Sequence, residues 1–349
     1  MDLKSMWQDY GLDRLEQGVE QLFPKWSLSL EELLGQVMKG DIPGALSALL
    51  DECVLGVTNQ LAGLRSIFVW LLVLGIVSAL MTHFVEIFDR HQVADLSFYF
   101  MYLLFTVVLF QCFTEAAETA LYTLENITLF IRLLVPAYLI SVGISTGAAT
   151  VGVSCQLMLL VIYGVESLLA QGVMPFIYSF VMLAVVNGIW TEEKLTLLIE
   201  LLNKGIGWVL KGAVGVVAGI SVFQALITPV VDTVRKSTLQ KLVSAIPGVG
   251  NLADGAVEMV LGAALVIKNS VGIVLLLLML LLCALPLLKI GLIAAVLKCA
   301  AAFIGVVSDK RIVACANRTG DGVLLLLRTS GTAMLLFLIS IAVITAAGT

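Results

Sequence analysis

Charge is scarce in this 349-residue sequence: Asp, Glu, Lys and Arg make up 13% of it, against about a quarter in a soluble globular chain. Together with 60% hydrophobic residues and a mean hydropathy of +1.06, that deficit excludes an ordinary water-soluble core. Histidine is almost missing. His83 and His91 lie eight residues apart with no carboxylate at metal-ligand spacing, and both read as loop residues. The six cysteines (Cys53, Cys112, Cys155, Cys283, Cys299, Cys315) form no CxxC pair. Four of them fall in apolar runs, where a thiol packs as a small hydrophobe. HExxH, Walker GxxxxGK[ST] and GxSxG motifs are all absent. Asn251 in "GVGN" stands where a glycine-x-glycine-aspartate protease needs its acid, and "RTSGT" around Ser330 lacks the glycine of an intramembrane serine protease. An enzyme is therefore not expected, nor is a cofactor or a metal. An excess of base is missing too. Residues 1–60 hold ten acids against Lys4, Arg14, Lys25 and Lys39, which accounts for the net charge of −5 and argues against nucleic acid as a partner. The opening "MDLKSMWQDYG" has no apolar core of a leader, so either the N-terminus stays where it is made or a leader has been removed.

What the sequence does have is long apolar runs, several near or above the ~18 residues that mark a membrane helix. The expected fold is all-α: a polytopic membrane protein with about eight spans, near 64–83, 96–113, 148–171, 173–190, 207–228, 258–285, 288–307 and 323–346. Residues 1–60 form an acidic region of short amphipathic helices, too small to bury its own core, and 61–349 form the membrane domain. Polar stretches separate the spans: "HFVEIFDRHQVAD", "TEAAETALYTLENI", "TEEKLTLLIELLNKG" and "SDKRIVACANRTGDG". Basic clusters at Arg235, Lys236 and Lys241, and at Lys310 and Arg311 with Arg318, face the cytoplasm by the positive-inside rule. Counting back places the N-terminus outside.

The stretch "IPGVGNLADGA" (246–256) puts a proline, three glycines and Asp254 at the edge of the most apolar region. A shift of 111 residues overlays Pro136 on Pro247 and Pro175 on Pro286, and spans two to four on five to seven. Units 96–190 and 207–307 then read as a repeat. Three spans per unit, an odd number, would make the units inverted, a common build for membrane transport proteins. Pro136, Gly143 and Gly147 in the first unit correspond to Pro247, Gly248, Gly250, Asp254 and Glu258 in the second, as proline-broken re-entrant segments lining a vestibule. The other reading is an interfacial loop with Asp254 in water. Glu166, Asn187 and Lys298 are the candidate polar groups within spans; Lys298 falls on Asn187 under the shift. Lys211 and Lys289 look close to span ends. Gly212, Gly215 and Gly219 space small residues for close helix contact.

The C-terminal half, "VFQALITPVVDTVRKSTLQKLVSAIPGVGNLADGAVEMVLGAALVIKNSVG" and "RTGDGVLLLLRTSGTAMLLFLISIA", resembles the stage III sporulation protein AE family of endospore-forming bacteria. The resemblance implies a place in the mother-cell membrane around the forespore, with the N-terminus in the intermembrane space. It implies a multi-protein channel apparatus as the setting, with other stage III A-operon proteins, an AA-type secretion ATPase among them, and stage II sporulation protein Q as partners. It carries no catalytic residues. A permease-like subunit of that apparatus, a free-standing secondary transporter for a small solute and a scaffold without a pore are the three functions the sequence leaves open.

Overall fold

The computed structural model describes residues 44, 65–80, 91–146, 160–190, 194–243, 250–306 and 308–346. The helices are α1 (Arg65–Leu80), α2 (His91–Thr146), α3 (Leu160–Ile189), α4 (Thr196–Val243), α5 (Gly250–Ile304) and α6 (Lys310–Ala346). No strand occurs among the described residues. Five of the helices contain a stretch long and apolar enough to cross a membrane: Leu96–Ile131, Leu160–Ile189, Thr196–Ile220, Leu276–Ile304 and Lys310–Ile339. Arg65–Leu80 is apolar but shorter.

α6 is the hub, packing against α2, α3, α4 and α5. Side-chain contacts fix the directions. Phe130 meets Phe337 edge-on at 5.3 Å, and Arg311 lies 3.6 Å over the Phe98 ring, so α2 runs with α6. Gly322 sits beside Val181 and Phe180, while Gly188 touches Tyr102 at the Arg311 end, so α3 runs against α6. Gly291 lies beside Leu327 and Lys298 beside Asp321, so α5 also runs against it. α4 starts beside the end of α3 and buries Ile199, Ile206, Leu210, Ala213 and Val217 in the common core. It must fold back along the bundle, in the direction of α2 and α6.

The separation into eight spans is corrected in three ways. First, "TEAAETALYTLENI" is not a linker. α2 continues through it because Ala116, Ala117, Ala120, Leu124 and Ile127 are buried at helical spacing, and Thr119, Thr123 and Thr128 donate their hydroxyls to carbonyls four residues back. In "TEEKLTLLIELLNKG" Lys194 and Leu195 turn, and from Thr196 it is already α4. Most of "SDKRIVACANRTGDG" is likewise the first part of α6. Asp309 caps it, its carboxylate accepting the Arg311 N–H at 2.8 Å.

Second, Pro136, Pro175 and Pro286 do not divide spans. The segment Leu168–Val173 is a π-turn, in which Met174 donates its N–H to the Leu169 carbonyl. This wider turn takes up Pro175 without ending α3, as π-turns commonly do within helices. Pro286 is inside α5, and the helix assignment of α2 runs through Pro136 and Gly143. Pro136 interrupts nothing. Third, the 111-residue shift overlays α2 on α4 and α3 on α5, and each pair runs in one direction along α6. Among the described residues each unit shows two helices, so the three-span repeat and the inversion that rests on its odd parity are not confirmed.

Gly250, Asp254 and Glu258 are in the first turns of α5, with their side-chain surroundings outside the described residues. Gly147, Pro247 and Gly248 also lie outside them. Arg235, Lys236 and Lys241 are helical in α4, again without described side chains.

Candidate functional site

One end of the bundle is polar, and the first half of α6 makes it so. Helical spacing places Asn317 and Asp321 one turn apart, on the side that meets α5. Lys298 of α5 reaches both: its ammonium donates to Asn317 Oδ1 at 2.6 Å and to Asp321 Oδ1 at 2.7 Å. The pair is not sealed, since the Lys298 and Asp321 side chains remain 30% and 39% exposed. Gly320 lies against this lysine: a Cβ there would stand 3.2 Å from Lys298 Cε, close enough that the lysine would have to shift slightly. An ammonium in an apolar helix is costly unless it meets a counter-charge or a wet cavity. Lys298 has the first, and its exposure leaves it open to the second.

Asn187, fully buried on α3, does a different job. Its Oδ1 accepts the Leu195 N–H at 2.8 Å and its Nδ2 donates to Thr196 Oγ1 at 3.3 Å. It satisfies backbone at the start of α4, where the first N–H groups have no partner within the helix. Arg318 of α6 donates to the same Thr196 hydroxyl at 3.4 Å. Asn187 and Lys298, the two positions related by the 111-residue shift, thus both lead to the Asn317–Asp321 turn: Lys298 directly, Asn187 through Thr196 and Arg318. At the same end, Tyr102 of α2 donates its hydroxyl to the Val185 carbonyl at 2.6 Å. Arg311 is held by Asp309 at 3.3 Å and by Phe98, while Lys310 is exposed.

A second ion pair joins α5 to α2, Lys289 to Glu115 at 2.9 Å. Lys289 is not at a helix end, because α5 is continuous across Pro286. Glu166 is a third kind of group. It is 1% exposed, and neither carboxylate oxygen has a hydrogen-bond partner among the described residues. It lies one residue before the last α-helical position ahead of the π-turn, near Cys283 of α5.

Sequence reasoning singled out Glu166, Asn187, Lys298, Lys310 and Arg311 but missed Asn317, Asp321, Thr196 and Glu115. The missed residues sit in stretches whose charge density read as loop. The signal that identifies them as helical is the apolar face at three- and four-residue spacing beneath the charges. Gly212, Gly215 and Gly219, expected at a helix contact, have open space where a Cβ would be.

A family model described as stage III sporulation protein AE matches residues 28–348. Stage III sporulation protein AE of Bacillus subtilis (strain 168) is 26% identical over 264 residues, covering 75% of this chain and 66% of that protein. The chain thus matches just under two thirds of the curated relative's length. No solved structure matches.

Proposed function

Because the chain belongs to the stage III sporulation protein AE family, we propose that it is a multi-pass membrane subunit of the channel apparatus between mother cell and forespore, and its permease-like element. The observation that carries this reading is the Lys298–Asn317–Asp321 cluster. It is a charged, partly exposed group held between two apolar helices, and ionisable residues so placed mark substrate or ion paths. Partners in this reading are the other stage III A-operon proteins, including the AA-type ATPase, and stage II sporulation protein Q across the intermembrane space. The protein would lie in the mother-cell membrane with its N-terminus in that space.

Lys298→Met with Asp321→Leu tests the proposal, since the pair is removed without leaving a lone charge. The expected result is normal protein level and membrane insertion, with loss of late forespore gene expression. Full sporulation in that double variant would contradict a transport role for the cluster. A second reading, a free-standing secondary transporter for a small solute, draws on Glu166, a buried carboxyl of the type used in ion coupling. Ion-coupled uptake by the purified chain in liposomes, without partners, would favour it.

A further inference from the structure

Two outward helix faces carry complementary charge at matching depth. On α2, Glu118 and Glu125 are exposed. On α4, Lys204 and Lys211 are exposed. Each pair is seven residues apart, two turns or about 10.5 Å along the axis. Both helices run with α6. Phe113 stands beside Gly322 and Phe130 beside Phe337, so Glu118 and Glu125 lie near the levels of Leu326 and Ala333. Thr196 meets Arg318, and counting along α4 from there brings Lys204 and Lys211 to those same two levels.

Among the described residues these charges are weakly engaged. Glu118, Glu125 and Lys211 have no ion pair among the described residues. Lys204 has only a 3.7 Å contact with Glu200, with both side chains more than half exposed. All four lie within helices long and apolar enough to cross a membrane, flanked outward by Val107 and Tyr122 on α2 and by Leu201 and Trp208 on α4. A bare charge on such a face is unfavourable against lipid. Beside Lys211, Gly212, Gly215 and Gly219 leave room for a second backbone to come close.

We propose that copies of this chain associate head to tail, α4 of one copy against α2 of the next. Lys204 then faces Glu118, and Lys211 faces Glu125. Both helices point the same way, so neighbouring copies share one membrane orientation. A contact between unlike faces repeats around an axis and forms a ring where the rotation closes. Two-fold pairing is disfavoured, since α4 on α4 would bring lysine to lysine and α2 on α2 glutamate to glutamate. The proposal concerns self-assembly and stands apart from the channel reading.

The test counts subunits of the full chain in nanodiscs by single-molecule photobleaching. Wild type is expected to be multimeric. Lys204→Glu with Lys211→Glu, and separately Glu118→Lys with Glu125→Lys, should each fall to single subunits. Mixing the two double variants should restore mixed multimers, and so should combining all four substitutions in one chain; both keep the proposal testable if one double variant is poorly folded. A monomeric wild-type chain overturns the proposal, as do multimers indifferent to either reversal or absent from the mixture and the fourfold variant. Disulfides between copies of a Lys204→Cys variant, with none between Lys204→Cys and Glu118→Cys copies, would mean two-fold pairing and overturn it as well.

Discussion

Lys298 and Asp321 meet at 2.7 Å across the α5–α6 contact, with Asn317 taking a second hydrogen bond from the same ammonium. The pair is partly solvated, so its net worth is modest, on the order of 1 kcal/mol or less for exposed pairs. Breaking it from one side is worse than removing it. Asp321→Leu leaves an ammonium between two apolar helices, whereas adding Lys298→Met removes the charge. Thermal unfolding in detergent should therefore show a lower Tm for the single variant than for the double. Equal losses would mean that water already satisfies Lys298.

Close packing of α2 on α3 rests on one glycine. A Cβ at Gly188 would collide with the Tyr102 hydroxyl, which is itself bonded to the Val185 carbonyl. Gly188→Ala should lower stability by about 1–3 kcal/mol, the usual range for overpacking. Tyr102→Phe frees that space at the cost of the hydrogen bond, so the double variant should lose less than the sum of the singles. Strict additivity in a melting series would show that the two residues do not press on each other.

Asn187 is expected to matter for the start of α4. Asn187→Leu removes the acceptor for the Leu195 N–H and the partner of Thr196, at a cost of about 1–3 kcal/mol for a buried donor left unmet. Hydrogen exchange at the first turn of α4 should accelerate, while exchange in the middle of α3 should not. Uniform acceleration would instead point to general unfolding.

Glu166 separates stability from function. Both its oxygens are buried without partners among the described residues, so Glu166→Leu should raise the melting temperature by removing an unmet polar group. If the carboxyl serves transport, the same variant should lose sporulation, the trade expected where a site holds a locally unfavourable group. A destabilised Glu166→Leu protein would show that the carboxyl has a structural partner.

The membrane class and the approximate position of the apolar helices were legible in hydropathy alone, because burial in lipid or protein selects the same residues. The family was legible in the 228–272 stretch and the closing "RTGDGVLLLLRTSGTAMLLFLISIA". Helix ends were not. Glu115, Glu118 and Glu125 look like a loop when charge is counted along the chain. Seen on a helix, Glu118 and Glu125 share an exposed face and Glu115 lies nearer the core, with Ala116 and Ala120 buried beneath. The boundary drawn between 171 and 173 failed for a related reason: a single π-turn there accommodates Pro175 within one helix. Asp321 and Asn317 escaped notice because nothing local announces a partner twenty residues away on another helix. Lys298 was visible because it stands alone in an apolar run.

Water access to the α5–α6 cluster is the property on which the permease-like reading turns. Single cysteines at Asn317, Asp321 and, as a buried control, Leu326 can be challenged in right-side-out and inverted membrane vesicles from sporulating cells with a charged, membrane-impermeant thiol reagent, in a background with the native cysteines replaced. Labelling at 317 and 321 that is lost when a bulky residue replaces Gly320, with none at 326, is the result predicted here. Absence of labelling at 317 and 321 from either side of the membrane would contradict a water-lined path at this cluster.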